Sequence, residues 1–76
     1  MGIAIITKWI GPTNTKGSRV KASCEKGSVT LNWTYDLDVK GNHHRAAMAL
    51  ADKLGMVGNW TAGELKDGYA FVALEP

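Results

Sequence analysis

The stretch from residue 42 to residue 55 is the only long segment whose apolar residues repeat with helical spacing. They follow one another at i, i+3, i+4 and i+7, so they form one apolar stripe. No proline or internal glycine interrupts the stretch, Asn42 is a favoured N-cap residue, and Gly55 stands where a left-handed residue often follows a helix. We therefore predict one helix that covers one face of a sheet. The stripe consists of Ala47, Leu50, Ala51 and Leu54.

The remainder of the chain alternates between short apolar stretches and turns. Glycine, proline and asparagine mark the turns, and the 11–17 segment has no apolar residue and reads as an exposed loop. The order β-β-β-α-β-β predicts a single α+β domain over residues 1–76, with an antiparallel sheet of four to five strands and the helix packed on one face. The predicted strands cover residues 2–10, 18–24, 28–34, 60–65 and 69–74.

Alternation within the strands separates a core face from an outer face. The first strand is apolar on both faces, which is typical of a central strand, or of one that meets the core on one side and a partner on the other. In the second and third strands, Arg19 and Lys21 alternate with apolar residues and give a basic outer face. The residues expected to meet the helix are Val20, Ala22, Val29 and Leu31.

The formal net charge is +2, but the charge is unevenly distributed. Residues 1–45 contain seven lysines and arginines against three acids, and residues 46–76 contain two against four. Such asymmetry is typical of a basic patch that faces nucleic acid or an acidic partner, although two solvated faces of different charge would show it too.

One cysteine excludes an intramolecular disulfide and fits a reducing cytoplasm. Cys24 alternates with core residues, so we expect a buried, inert thiol and not a nucleophile. The N-terminus lacks the basic region and cleavage site of a signal peptide, and no run approaches the length of a membrane span. We predict a cytoplasmic protein that does not bind membranes.

The candidate partner-binding residues lie in three segments. His43, His44 and Arg45 are predicted in the first helical turn, where free N–H groups would help them to hold an anion; alternatively, the histidines are neutral and the arginine is solvated. Three tryptophans would crowd so small a core, so we expect one to be exposed as an anchor for a protein or a base. The remaining candidates are Trp9 on the first strand, Thr13, Asn14 and Lys16 in the following loop, and Arg19 and Lys21 on the basic face.

The sequence offers no arrangement that we recognise as catalytic. The adjacent histidines would point about 100° apart on a helix, no zinc spacing or calcium loop is present, and the 11–17 loop lacks the Gly-Lys-Ser/Thr ending of a phosphate-binding loop. A core of this size leaves no room for a deep substrate pocket. We therefore predict no metal, no cofactor and no enzymatic activity.

The run Ile-Thr-Lys-Trp-Ile-Gly-Pro-Thr-Asn-Thr-Lys-Gly-Ser-Arg-Val-Lys-Ala-Ser at residues 6–23 resembles the start of a group of small proteins from bacteria, phages and plasmids. The helix ending in Lys-Leu-Gly, the following Gly-Asn-Trp and the final Asp-Gly-Tyr strand share this resemblance, which spans nearly the whole chain. It implies a small cytoplasmic protein carried by a mobile element, and it assigns no functional residue.

From these features we expect a non-enzymatic protein-binding module. By analogy of size and setting, it would be a phage or mobile-element inhibitor of a host defence complex, comparable to an anti-CRISPR protein, and its partner would be a host protein or complex. The alternative is a small nucleic-acid-binding protein that uses the same basic face. Homodimerisation through an open sheet edge is a further expectation, because no feature of the sequence caps the edge strands.

Overall fold

The computed structural model of the chain describes residues 4–56 and 60–73. It contains one five-stranded sheet of order β3-β2-β1-β5-β4, in which every neighbouring pair is antiparallel, and one helix. The predicted α+β class and the order β-β-β-α-β-β are confirmed; the parts of the predicted strands at residues 2, 3 and 74 lie outside the described residues. The elements are β1 Ala4–Ile10, β2 Arg19–Cys24, β3 Gly27–Asn32, α1 Val39–Lys53, β4 Trp60–Leu65 and β5 Gly68–Ala73.

Strand β1 is the central strand, as its apolar character on both faces predicts. Ile5 and Thr7 point towards the helix and are fully buried, at 0% and 1% exposure. Ile6 points the other way and remains 41% exposed, because the described residues place no element over that face. The helix therefore covers one face of the central strand, and no described element covers the other.

The core lies between α1 and the covered face of the sheet. The predicted helix stripe and strand residues take part in it: Val29, Leu31 and Leu54 are partly buried, and the others are buried. The helix packs against β1, β2, β3 and β5; in β4, Trp60 packs against the core, and residues 61–65 are exposed. The fully buried apolar residues are Ile5, Val20, Ala22, Ala46, Ala47, Leu50, Ala51 and Phe71.

The prediction that Asn42 is the N-cap of the helix is wrong. The helix begins at Val39, one turn earlier, and the Asp38 side chain accepts a hydrogen bond from the Gly41 N–H at 2.7 Å. Asp38 serves as the cap because its carboxylate sits three residues before that N–H, in the geometry that N-caps require. Asn42 is instead a buried residue inside the helix.

The helix ends as Gly55 predicts. Gly55 has a φ of +72°, its N–H donates to the Asp52 carbonyl oxygen, and the Met56 N–H donates to the Ala51 carbonyl oxygen. This pair of bonds is the Schellman arrangement, which satisfies carbonyls that the helix leaves free and favours glycine at the left-handed position.

Gly68 begins β5 directly beside the central strand. A Cβ at this position would overlap the Thr7 carbonyl oxygen, so only glycine allows β5 to approach β1 this closely. The Asp-Gly pair that predicts a hairpin therefore has a second role, since its glycine also permits the packing of two strands.

Candidate functional site

The first candidate site is the sheet surface opposite the helix, which we call the open face. It carries the outward-pointing side chains of the five strands. Lys8 of β1 lies directly opposite Lys21 of β2, and Arg19 follows two residues before Lys21 on the same face. The open face therefore gathers three basic residues, and strand alternation predicts two of them, Arg19 and Lys21.

The opposition of Lys8 and Lys21 is unfavourable for the isolated sheet. Directly opposed side chains have Cβ atoms about 4.5–5.5 Å apart, and like charges there destabilise the pair. No acidic residue lies on the open face among the described strand residues, because Glu64 points to the helix side and the other acids within residues 4–56 and 60–73 lie in turns, in loops or on the helix. Arg19 adds a third positive charge to this face. Its Nε is buried without a hydrogen-bond partner within the described residues.

Aliphatic side chains lie beside these cations. Ile6 and Val72 are 41% and 38% exposed, and they flank Ala70 on the same face. Hydroxyl side chains also lie on the open face beside this apolar strip, among them Ser23 on β2 and Thr30 on β3. The open face thus combines exposed apolar area with concentrated positive charge.

Trp9 does not lie on the open face with Arg19 and Lys21. It alternates with Lys8 along β1, so its indole is on the helix side of the sheet. The expectation of one exposed tryptophan is confirmed, because Trp9 is 48% exposed. A base that stacked on Trp9 would, however, be separated from the Arg19 and Lys21 side chains by the sheet itself.

The loop candidates are exposed, and one of them organises the loop. The Thr13 N–H donates to the Lys16 carbonyl oxygen at 2.7 Å, and the Lys16 N–H donates to Thr13 Oγ1 at 3.1 Å. The Thr13 side chain is therefore used within its own turn. Asn14 and Lys16 remain exposed at the turn's outer surface.

The three predicted helix-start residues take three different positions. They lie one turn inside the helix, so they do not form an anion site with its free N–H groups. His43 is buried at 2% exposure, and His44 is exposed with its ring 5.8 Å from that of Phe71. Arg45 donates to the Asn32 backbone carbonyl oxygen at 2.6 Å, which ties the helix to edge strand β3.

The second candidate site is a cleft of about 640 Å³ on the helix side, which we call the aromatic cleft. It lies between the start of α1 and the β4–β5 hairpin, and it is a shallow cleft and not the deep substrate pocket that the size of the core excludes. Its lining is Lys8, Trp9, Gly11, Trp33, Val39, His43, Glu64, Leu65, Lys66, Asp67, Gly68 and Tyr69.

His43 is held between aromatic rings and bonded to the central strand at the base of this cleft. Its Nδ1 lies 2.8 Å from Thr7 Oγ1, and its ring centroid lies 5.7 Å from that of Trp33 and 5.0 Å from that of Tyr69. Burial lowers the pKa of His43 below its usual 6.5, because the apolar surroundings disfavour the charged imidazolium. The imidazole is therefore neutral at physiological pH.

The sequence does not identify Lys8 or most of the cleft residues as site residues, and the reasons differ. The alternation of β1 already placed Lys8 on its outer face, but only the pairing with β2 brings it opposite Lys21. The cleft joins residues from β1, the helix and the β4–β5 hairpin. Nothing local in the sequence indicates that they meet.

The fold and these two surfaces define a small α+β protein in which the described residues form one helix on an antiparallel sheet. Comparison with protein-family models, curated proteins and solved structures gives no match. No helix among the described residues has the length and hydrophobicity needed to cross a bilayer. Within residues 4–56 and 60–73, no three His, Cys, Asp or Glu side chains come together as a metal site would require.

Proposed function

We propose that this protein is a small binding module whose open face attaches to an acidic surface of a partner protein. The opposition of Lys8 and Lys21 supports this proposal best. Two cations kept face to face beside Arg19, with no described acid among them, are unfavourable in the free protein and become favourable when an anionic surface covers them. The neighbouring aliphatic strip would supply the apolar area that protein interfaces bury.

A protein partner fits the open face better than nucleic acid does. Binding to single strands relies on aromatic rings that stack with bases, and no aromatic side chain lies on this face among the described residues. The net charge is only +2, which is a modest positive charge for a domain that would bind nucleic acid through its phosphates. Ile6 and Val72 would gain little from phosphates but would be buried by a protein surface.

The resemblance to mobile-element proteins supports a biological role for this binding, namely inhibition of a host complex. An inhibitor of a host defence complex acts by covering a surface that the complex needs, and it requires no catalytic group. A module with a cationic, partly aliphatic face is suited to cover an acidic surface of a host protein in this way.

Nucleic-acid binding is the second candidate, and a specific observation favours it. Lys8, Arg19 and Lys21 form a cationic cluster to which phosphates would also bind, and the exposed Lys16 could extend it. The two candidates differ in salt dependence, because several phosphate contacts weaken binding steeply as salt rises.

Charge reversal on the open face tests the proposal. The variant Lys8→Glu/Lys21→Glu keeps a like-charge pair, so its stability should change little, but it reverses the charge of the face. Its matched control is Lys26→Glu/Lys40→Glu, which produces the same net charge with exposed residues of the β2–β3 turn and the first helical turn. Both variants and the wild type would be used to capture partners from host lysate and to titrate single- and double-stranded nucleic acid at two salt concentrations.

We expect a protein partner that the wild type and the control retain and that the open-face variant loses. Nucleic-acid binding that falls steeply with salt and disappears only in the open-face variant would replace the proposal by the second candidate. If the open-face variant retained every partner of the wild type, the open face would not be the binding surface.

A further inference from the structure

The aromatic cleft has no role in the proposed function, since it lies on the other side of the sheet from the open face. Its walls carry the side chains of Trp9, Trp33 and Tyr69, and its volume of about 640 Å³ falls within the usual range of ligand sites. Gly11 leaves room for the Trp9 ring, because a Cβ at position 11 would come within 3.2 Å of the indole.

Two carboxylates and two lysines line the cleft, so the attraction for a cation comes from the aromatic rings and from the carboxylate nearest to them. The faces of tryptophan and tyrosine rings are electron-rich and attract positive charge. Glu64 lies directly opposite Tyr69 on the same face, and Asp67 lies on the rim with Lys66. Lys8 also lines the cleft, but its neighbours Thr7 and Trp9 point to the helix side, so the Lys8 side chain leaves β1 on the open face.

His43 adds no competing positive charge at the base of the cleft. The described structure gives its imidazole a hydrogen bond to Thr7 Oγ1 and two aromatic neighbours. Burial disfavours protonation of the ring. The cleft thus has aromatic walls, a neutral base and a carboxylate at its edge.

We propose that the aromatic cleft binds a quaternary ammonium group. Such a cation is weakly hydrated, has no N–H to donate, and is recognised by aromatic rings and nearby carboxylates. The cleft is larger than a trimethylammonium head, so it also accommodates the chain that carries the head. The carrier is either a small molecule such as choline or a trimethylated lysine side chain.

The test compares choline with its neutral isostere 3,3-dimethylbutanol, monitored through the indole N–H signals in NMR spectra. The isostere has the same shape without the charge, so the ratio of the two affinities isolates the cationic contribution. We expect choline to bind about 5- to 30-fold more tightly, the range that corresponds to cation–π attraction. A second arm uses a short peptide with trimethyllysine, and tighter binding of the peptide than of choline would identify the side chain as the source.

Two variants and one control locate the site. Trp9→Leu should abolish the preference for the cation, and Glu64→Gln should weaken choline binding several-fold while leaving the fold intact, because Glu64 is exposed. Lys21→Glu, on the open face and outside the cleft lining, should leave choline binding within about twofold of the wild type, which separates this site from the open face. Equal binding of choline and the isostere, no binding of choline or the peptide, or no effect of Glu64→Gln and Trp9→Leu would overturn the proposal.

Discussion

Two lysines that face each other on neighbouring strands are the residues on which the functional proposal depends. Lys8 and Lys21 are paired across β1 and β2, and no acid on the described open face offsets their repulsion. Natural sheets usually avoid this arrangement, because directly opposed like charges weaken strand pairing. A residue pair that opposes folding and is nevertheless present is better explained by binding than by stability.

The repulsion can be measured with a double-mutant cycle. We predict that Lys8→Thr and Lys21→Thr each stabilise the sheet, and that the double variant gains less than the sum, with a coupling of about 0.2–1 kcal/mol. Urea denaturation of the wild type, both single variants and the double variant gives this coupling. A coupling of zero, or single variants that are less stable than the wild type, would contradict the like-charge account.

His43 makes stability depend on pH. Its pKa is lowered by burial in the folded chain, so the unfolded chain binds the proton more readily below about pH 6.5. The free energy of unfolding should therefore be constant above this pH and decrease as the pH falls below it, by at most about 1.4 kcal/mol per pH unit.

Urea denaturation between pH 7.5 and pH 5.5 checks this expectation. In His43→Gln the dependence should flatten over this range, whereas His44→Gln, which replaces the exposed neighbour, should retain the wild-type slope. A slope that persists unchanged in His43→Gln would assign the pH dependence to another group.

Among the elements, the helix shows which parts of the structure the sequence can predict. The apolar spacing of Ala47, Leu50 and Ala51 identified the helix and its buried face, because that spacing has a single interpretation. The start was misassigned because Asp38 and Asn42 are both good caps, and the choice between them depends on contacts with the preceding loop. The positions of His43 and Arg45 were wrong as a consequence.

Asn42 joins the helix to the loop before it. Its Oδ1 accepts from the Thr34 N–H at 2.9 Å, and its Nδ2 lies within hydrogen-bonding distance of the carbonyl oxygens of Thr34, Leu37 and Asp38. We predict that Asn42→Ala lowers the free energy of unfolding by about 1–3 kcal/mol, since it removes a buried amide whose partners are the partly buried backbone groups of Thr34 and the preceding loop.

Two further variants calibrate this loss. Asp38→Ala removes the cap and should cost about 1 kcal/mol, and His44→Ala at an exposed helical position should be nearly neutral. Thermal or urea denaturation ranks the three variants. If Asn42→Ala were as stable as His44→Ala, the polar contacts of Asn42 would not hold the loop.

The two edges of the sheet are not equivalent. On β3, Arg45 donates to the Asn32 carbonyl oxygen and Lys53 donates to the Ser28 carbonyl oxygen, so helix side chains occupy backbone acceptors at this edge. This corrects the expectation that no feature caps the edge strands. The predicted homodimer through a sheet edge would therefore use β4, whose residues 61–65 are exposed on both faces.

At the scale of the whole molecule, one helix is too small to cover five strands on both faces. Within the described residues, the open face and the aromatic cleft both result from this shortage, since the helix lies on one side of the sheet only and leaves residues 61–65 of β4 exposed on that side. Composition and strand alternation predicted the basic open face, because these properties are local. The cleft could not be predicted, because it depends on how the helix is positioned relative to β4.

The most direct test of the open face is chemical-shift mapping with two polyanions. A ¹⁵N-labelled sample would be titrated with an acidic peptide that contains aliphatic residues, and separately with an oligonucleotide of equal charge. We predict that the peptide binds more tightly and shifts the amides of Ile6, Lys8, Lys21 and Val72, while the helix amides change little. Tighter binding of the oligonucleotide, or shifts that concentrate on the helix side of the sheet, would contradict the proposal that the open face binds an acidic protein.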